Sequence, residues 1–207
     1  MSAEPFVALT AVAAPIHRPN VDTDQIAPVR FLRRPRGEGY GTVLFHDLRF
    51  HADGTERADF VLNRPAFREA RILVADENFG VGSSREQAVW ALVDHGIRCV
   101  IAASFGDIFF NNAINHGLLL MREPAATLAA VRQQLDAAPG TTVAIDLESQ
   151  TWRLGEQPAR RFEIEAARKR RLLSGLDEID MTRQLVREID AFEAGYRARR
   201  HWLFQVT

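Results

Sequence analysis

The sequence predicts an α/β domain, and three observations carry that prediction. Apolar runs of buried-strand type recur at 72–75, 99–103 and 118–121. Helix-length stretches at 84–95 and 105–116 separate them, each stopped by a glycine, Gly96 and Gly117. The strand–helix–strand–helix–strand order calls for parallel strands joined by crossover helices.

Along the chain, residues 6–13 read as a short apolar strand. Residues 19–42 read as loop, with Pro19, Pro28, Pro35, Gly37, Gly39 and Gly41 as breakers, and 45–50 and 59–62 as short elements. In the helix at 84–95, Ala88, Leu92 and His95 share one stripe. A further helix is expected at 125–137, ended by Pro139-Gly140. Strands are expected at 141–147, 150–154 and 161–165, joined by tight turns. From 164 onward the chain reads as a charged helical extension, with helices over 164–173 and 181–200 broken by Gly175. The whole of 1–207 is taken as a single domain carrying that extension.

Composition narrows function. Lys+Arg is 26 against Asp+Glu 27, a net charge of -1, which argues against a dedicated nucleic-acid binder. Lys169 is the one lysine, so a Schiff-base or P-loop lysine is nearly excluded on supply. Cys99 is the one cysteine, which excludes a disulfide within the chain, a cysteine zinc site and the ligand set of an iron–sulfur cluster. No metal site is therefore expected in this chain. The first twenty residues lack a basic segment and contain Glu4 and Pro5; they read as mature protein, and a cytoplasmic location is expected.

The sharpest local feature is Glu77-Asn78-Phe79-Gly80-Val81-Gly82-Ser83-Ser84-Arg85-Glu86, between a strand and a helix. It is not a dinucleotide fingerprint, which needs Gly at Arg85, nor a P-loop, nor a nucleophile elbow, which needs Gly at Glu86. Gly80 and Gly82 allow close backbone approach, a helix N-terminus offers unpaired N–H groups, and Arg85 adds a carboxylate fork. Ser83 and Ser84 add hydroxyls at the same rim. This set suits a small carboxylate. Ser83-x-x-Glu86 equally reads as a capping box, repeated at Ser104-x-x-Asp107.

Asn20-Val21-Asp22-Thr23-Asp24 places two acids two apart, for proton transfer, metal or turn amides. Asn111, Asn112 and Asn115 could line a polar pocket or satisfy loop carbonyls. The six histidines show no metal spacing, and Trp90, Trp152 and Trp202 read as core or interface anchors.

Three segments in order carry a specific resemblance: 20–28 (NVDTDQIAP), 77–86 (ENFGVGSSRE) and 103–112 (ASFGDIFFNN), with 174–182 as a fourth. Over residues 5–195 the chain resembles the 3-isopropylmalate dehydratase small-subunit family, the separate-chain counterpart of the aconitase swivel domain. The resemblance implies a swivelling β/β/α-type fold with a helical extension at about 164–207. It implies a hydro-lyase active only with a large subunit that carries a [4Fe-4S] cluster, the pair forming a heterodimer or larger assembly. The small dicarboxylate substrate would be isomerised from 2- to 3-isopropylmalate, a step of leucine biosynthesis.

Residue by residue, Ser83 matches the family's base, Ser84 and Gly82 line the substrate, and Arg85 clamps a carboxylate. Asp24 matches an aspartate acting through the partner's histidine, and Phe31 and Leu32 fall where members differ by substrate. This chain has Val81 where many members have Cys, and Gln87 where the family usually has His. Two alternatives follow: a paralogue for citramalate or dimethylmalate, or a non-catalytic scaffold or regulatory module.

Overall fold

A computed structural model describes residues 4–204. Seven strands form one mixed sheet: β1 (Ala8–Pro15), β2 (Ile72–Val74), β3 (Cys99–Ala102), β4 (Leu119–Arg122), β5 (Thr142–Asp146), β6 (Thr151–Leu154) and β7 (Arg160–Arg161). Their order is β4-β3-β2-β1-β5-β6-β7. The parallel half predicted from the alternation is present: β2 pairs with β3 and β3 with β4, both parallel. β1 joins the two halves. Ala13 to Pro15 run parallel to β2, while Ala8 to Val12 run antiparallel to β5.

The apolar runs at β2 to β4 have no polar alternation because both faces are covered. Leu73, Ala75, Val100, Ala102, Leu118 and Leu120 point into one core, with α3 (Glu86–His95) and α4 (Asp107–Asn115). Ile72, Val74, Cys99, Ile101, Leu119 and Met121 point into the other. There α5 (Ala125–Ala137) lays down Leu128, Val131 and Leu135 at helical spacing. Its bounds are those predicted, with Pro124 as N-cap.

The loop expected at 19–42 holds more order than its breakers suggest. It contains α1 (Thr23–Ile26) and 3-10 turns at Val29–Phe31, Arg36–Glu38 and Tyr40–Val43; α2 (His46–Arg49) follows it. The last of these turns packs along α3. Gly41 makes that approach possible, since a Cβ there would lie 2.4 Å from the Asp94 carbonyl oxygen. Beyond the sheet come α6 (Ala166–Ser174), α7 (Glu178–Arg183) and α8 (Val186–Arg199). The helix expected over 181–200 is interrupted at Gln184-Leu185. Among the described residues no helix is long and apolar enough to cross a membrane.

Candidate active site

The three sequence motifs leave the carboxyl ends of three adjacent parallel strands. Asn20 to Asp24 follow β1, the glycine loop follows β2, and Ser104 to Gly106 follow β3. That edge is where open α/β sheets bind ligands.

Backbone hydrogen bonds lace the three loops together, with the glycine loop in the middle. On one side Gly80 N donates to Val21 O at 2.7 Å, and Thr23 N to Val81 O at 2.9 Å. On the other, Phe79 N donates to Ser104 O and Gly106 N to Phe79 O, each at 3.0 Å. Two glycines permit this. Gly80 has φ +74, and a Cβ on it would meet the buried Phe109 ring at 2.3 Å. A Cβ on Gly106 would sit 2.5 Å from the Gly80 carbonyl oxygen.

The capping-box expectation is corrected by the structure. α3 begins at Glu86, with Arg85 as an extended N-cap that makes no side-chain cap, two residues later than the predicted start at 84. Ser83 therefore lies on the loop, outside the helix. Likewise α4 begins at Asp107 after Gly106. Ser104 Oγ instead accepts from Asn78 N at 2.8 Å and so holds the glycine loop. The reason is common to both: the non-local bonds of the loop claim the backbone that a cap would need.

Ser83 and Ser84 are exposed at the rim, as is Gly82. Arg85 is mostly covered, and its Nη1 pairs with Asp24 while its Nη2 lies 3.5 Å from Ser83 Oγ. Asp24, Ser83 and Arg85 thus form one joined group. Asp22 serves a different purpose: its Oδ1 accepts from Gln25 N at 2.7 Å and caps α1, the turn role foreseen for this pair.

Phe31 lies outside this group. Its ring packs against that of His46, 4.8 Å between centroids, with the Arg30 guanidinium 4.6 Å away. Leu32 is half-buried beside it. Among the described residues the bonds joining Asp24, Ser83 and Arg85 do not extend to either. Asn111 accepts from Arg168 Nη2 at 3.2 Å. Trp152 is buried, as expected of a core anchor, whereas Trp202 is exposed.

Sequence reasoning missed two supports of the loop. Buried Thr23 donates from Oγ1 to Ser83 O at 3.2 Å, which fixes the serine backbone from below. Asn20 and Asn78 both sit at left-handed φ, +54° and +60°, and bond side chain to side chain at 2.8 Å. Asparagine tolerates that region better than most residues, which was the available signal. Cys99 is fully buried in β3, and burial pushes its thiol far above the ordinary range. Among the described residues no group of three or more His, Cys, Asp or Glu could hold a metal ion.

Known proteins of one family resemble this chain in sequence and fold. The family model of the aconitase C-terminal domain matches residues 3–126, which contain all three motif loops. The 3-isopropylmalate dehydratase small subunit of Afipia carboxidovorans is 48% identical over 97% of this chain and 100% of its own length. That of Dinoroseobacter shibae is 46% identical with the same coverage. The solved 3-isopropylmalate dehydratase (leuD) of Methanocaldococcus jannaschii superposes with a TM-score of 0.62 at 28% identity, covering 89% of this chain and 99% of that one. The chain belongs to the aconitase C-terminal-domain family, among the 3-isopropylmalate dehydratase small subunits.

Proposed function

We propose that this chain works in the cytoplasm as the small subunit of a two-subunit hydro-lyase that interconverts 2- and 3-isopropylmalate in leucine biosynthesis. The names of its relatives support the reaction. One observation carries the site: an exposed serine hydroxyl set against an arginine that a carboxylate holds in place.

In this reading Ser83 takes the proton alpha to a substrate carboxylate as the hydroxyl on the neighbouring carbon departs. The proton ends on Ser83 Oγ, and the C–H electron pair becomes the new C=C bond of isopropylmaleate. Rehydration with the opposite regiochemistry gives the isomer. A serine is a poor base in water and needs its alkoxide stabilised. Arg85 Nη2 beside Oγ supplies positive charge there. The same guanidinium can clamp a substrate carboxylate from its remaining edge. Asp24 keeps the fork aimed, Ser84 and Gly82 line the rim, and Asp24 also faces outward for a histidine of the large subunit.

A [4Fe-4S] cluster on the large subunit would supply the Lewis-acid site for the departing hydroxyl. The donor set here supports placing it on that chain: the one thiol is buried in β3, with no accessible face for iron. Phe31 and Leu32, in the loop packed beside α3, are proposed to read the isopropyl group.

The test is the anaerobically reconstituted pair. Ser83→Ala should abolish turnover of 2-isopropylmalate while leaving assembly intact. Normal turnover by that variant would remove Ser83 as the base, and better kinetics on citramalate would move the substrate assignment to the paralogous reading.

A further inference from the structure

Glu86 adjoins Arg85 in the chain, and its carboxylate is a second candidate partner for the guanidinium. It is held elsewhere. Its Oε1 lies 2.7 Å from Nε2 of His116, the residue that closes α4. The His116 ring is mostly covered and stands edge-on to Trp90 of α3, centroids 6.3 Å apart at 87°. Trp90 Nε1 also approaches His116 Nε2, at 3.2 Å. From the turn at Arg36–Glu38, Arg36 Nη1 lies 3.4 Å from His116 Nδ1, and the rest of that guanidinium is bound by Asp94 at 2.7 and 3.1 Å.

One nitrogen therefore faces both a carboxylate and an indole N–H, and it can serve one of them. The other ring nitrogen decides. Two contacts outweigh one: a lone pair on Nδ1 suits Arg36, which only donates, and a proton on Nε2 suits Glu86, whereas the opposite tautomer suits Trp90 alone. In the neutral ring the proton then sits on Nε2 and goes to Glu86. The opposite tautomer would satisfy Trp90, but it would set a lone pair against Glu86 and an N–H against Arg36.

We propose that His116 is a positioning residue: it holds the Glu86 carboxylate away from Arg85, so that the guanidinium keeps its second edge for Ser83 and a substrate carboxylate. The proposal rests on the roles given to Ser83 and Arg85 above. Freed from His116, Glu86 becomes a competing anion beside Arg85. Substrate binding suffers first.

The experiment uses the reconstituted pair, with wild type and Ser83→Ala run alongside. Turnover by the first and none by the second upholds the reading beneath the proposal. His116→Ala should then lower kcat/KM about tenfold, mainly through KM, as expected when a competing anion takes over one charge-assisted hydrogen bond. Adding Glu86→Gln to that variant should bring kcat/KM back to within about threefold of wild type, because an amide cannot neutralise Arg85. His116→Gln, which keeps an N–H for Glu86, should hold KM near wild type. A double variant as poor as His116→Ala makes the histidine merely structural and overturns the proposal, as does a wild-type KM in His116→Ala. If the wild-type pair is inactive on 2-isopropylmalate, the functional reading fails, yet 15N spectra of the histidines in this chain still decide: an Nε2–H ring at His116 is expected, and an Nδ1–H ring overturns the proposal.

Discussion

Gly106→Ala tests whether the lacing of the three loops holds the serine in place. The residue has φ -63 and ψ 133, which any amino acid can adopt, so the substitution adds no backbone strain of its own. All of its cost is steric. The new Cβ would lie 2.5 Å from Gly80 O and 3.0 Å from Gly80 C and Val81 Cα, all of them backbone atoms. Reaching ordinary contact requires the glycine loop to retreat by roughly 0.7 Å or more, and the Gly106 N to Phe79 O bond must lengthen from its 3.0 Å. Overpacking of this kind costs about 1–3 kcal/mol, and a weakened backbone hydrogen bond adds about 1 kcal/mol. The unfolding midpoint by circular dichroism should fall by roughly 4–16 °C for a chain of this size. Below that midpoint the reconstituted pair should lose about a hundredfold in kcat, since a displacement near 1 Å at the reacting group costs that much. Gly37→Ala is the control, because nothing lies within 4 Å of its Cβ. A Gly106→Ala chain that melts with wild type and turns over within twofold of it would refute the lacing argument.

Arg85→Lys should keep the fold but lower kcat/KM by about a hundredfold, because an ammonium cannot meet Asp24 and Ser83 together as the fork does; steady-state kinetics on the pair check it. His95, the last residue of α3, is half-buried and donates from Nδ1 to Gly41 O at 3.1 Å; burial, then the Arg49 charge, lowers its pKa below 6.5. The folded state thus binds its proton less readily than the unfolded chain, so stability falls as pH drops below about 6.5, and the loss levels off past the lowered value. Urea midpoints at pH 7.5 and 5.5 should differ less for His95→Gln than for wild type; equal differences would contradict the sign.

What the sequence disclosed follows from how local each signal is. α5 was legible to the residue because Pro124 opens it and Pro139-Gly140 closes the turn behind it. β2 to β4 were legible because strands covered on both faces carry unbroken apolar runs, and their two-residue alternation between cores needs no polar face to show. The starts of α3 and α4 were misplaced because Ser-x-x-Glu and Ser-x-x-Asp are local patterns overruled by distant partners. Ser104 is taken by Asn78, twenty-six residues away, and the Ser83 carbonyl by Thr23, sixty residues away. Such pairings leave no trace in local spacing. The two short turns around Tyr40 were hidden for the same reason, since Gly41 looks like a breaker until α3 lies against it.

The pair Asp22 and Asp24 shows how one motif divides its labour. Asp22 is the extended N-cap of α1, φ -87 and ψ 167, while Asp24 lies inside its first turn, so the two carboxylates do not share a face. Asp22 turns inward as the cap, and Asp24 projects to the rim, where Arg85 meets it. That meeting has an electrostatic consequence. Within the joined group of Asp24, Ser83 and Arg85 the formal charges cancel, so the group orients a carboxylate better than it attracts one. A dicarboxylate carries two negative charges, and drawing it in requires further positive charge from outside this group. In the proposed function that charge would come from the large subunit. Under the proposed function the labour would then divide: the partner would gather the dianion, and this chain, with a fork already aimed by Asp24 and a serine beside it, would orient one carboxylate.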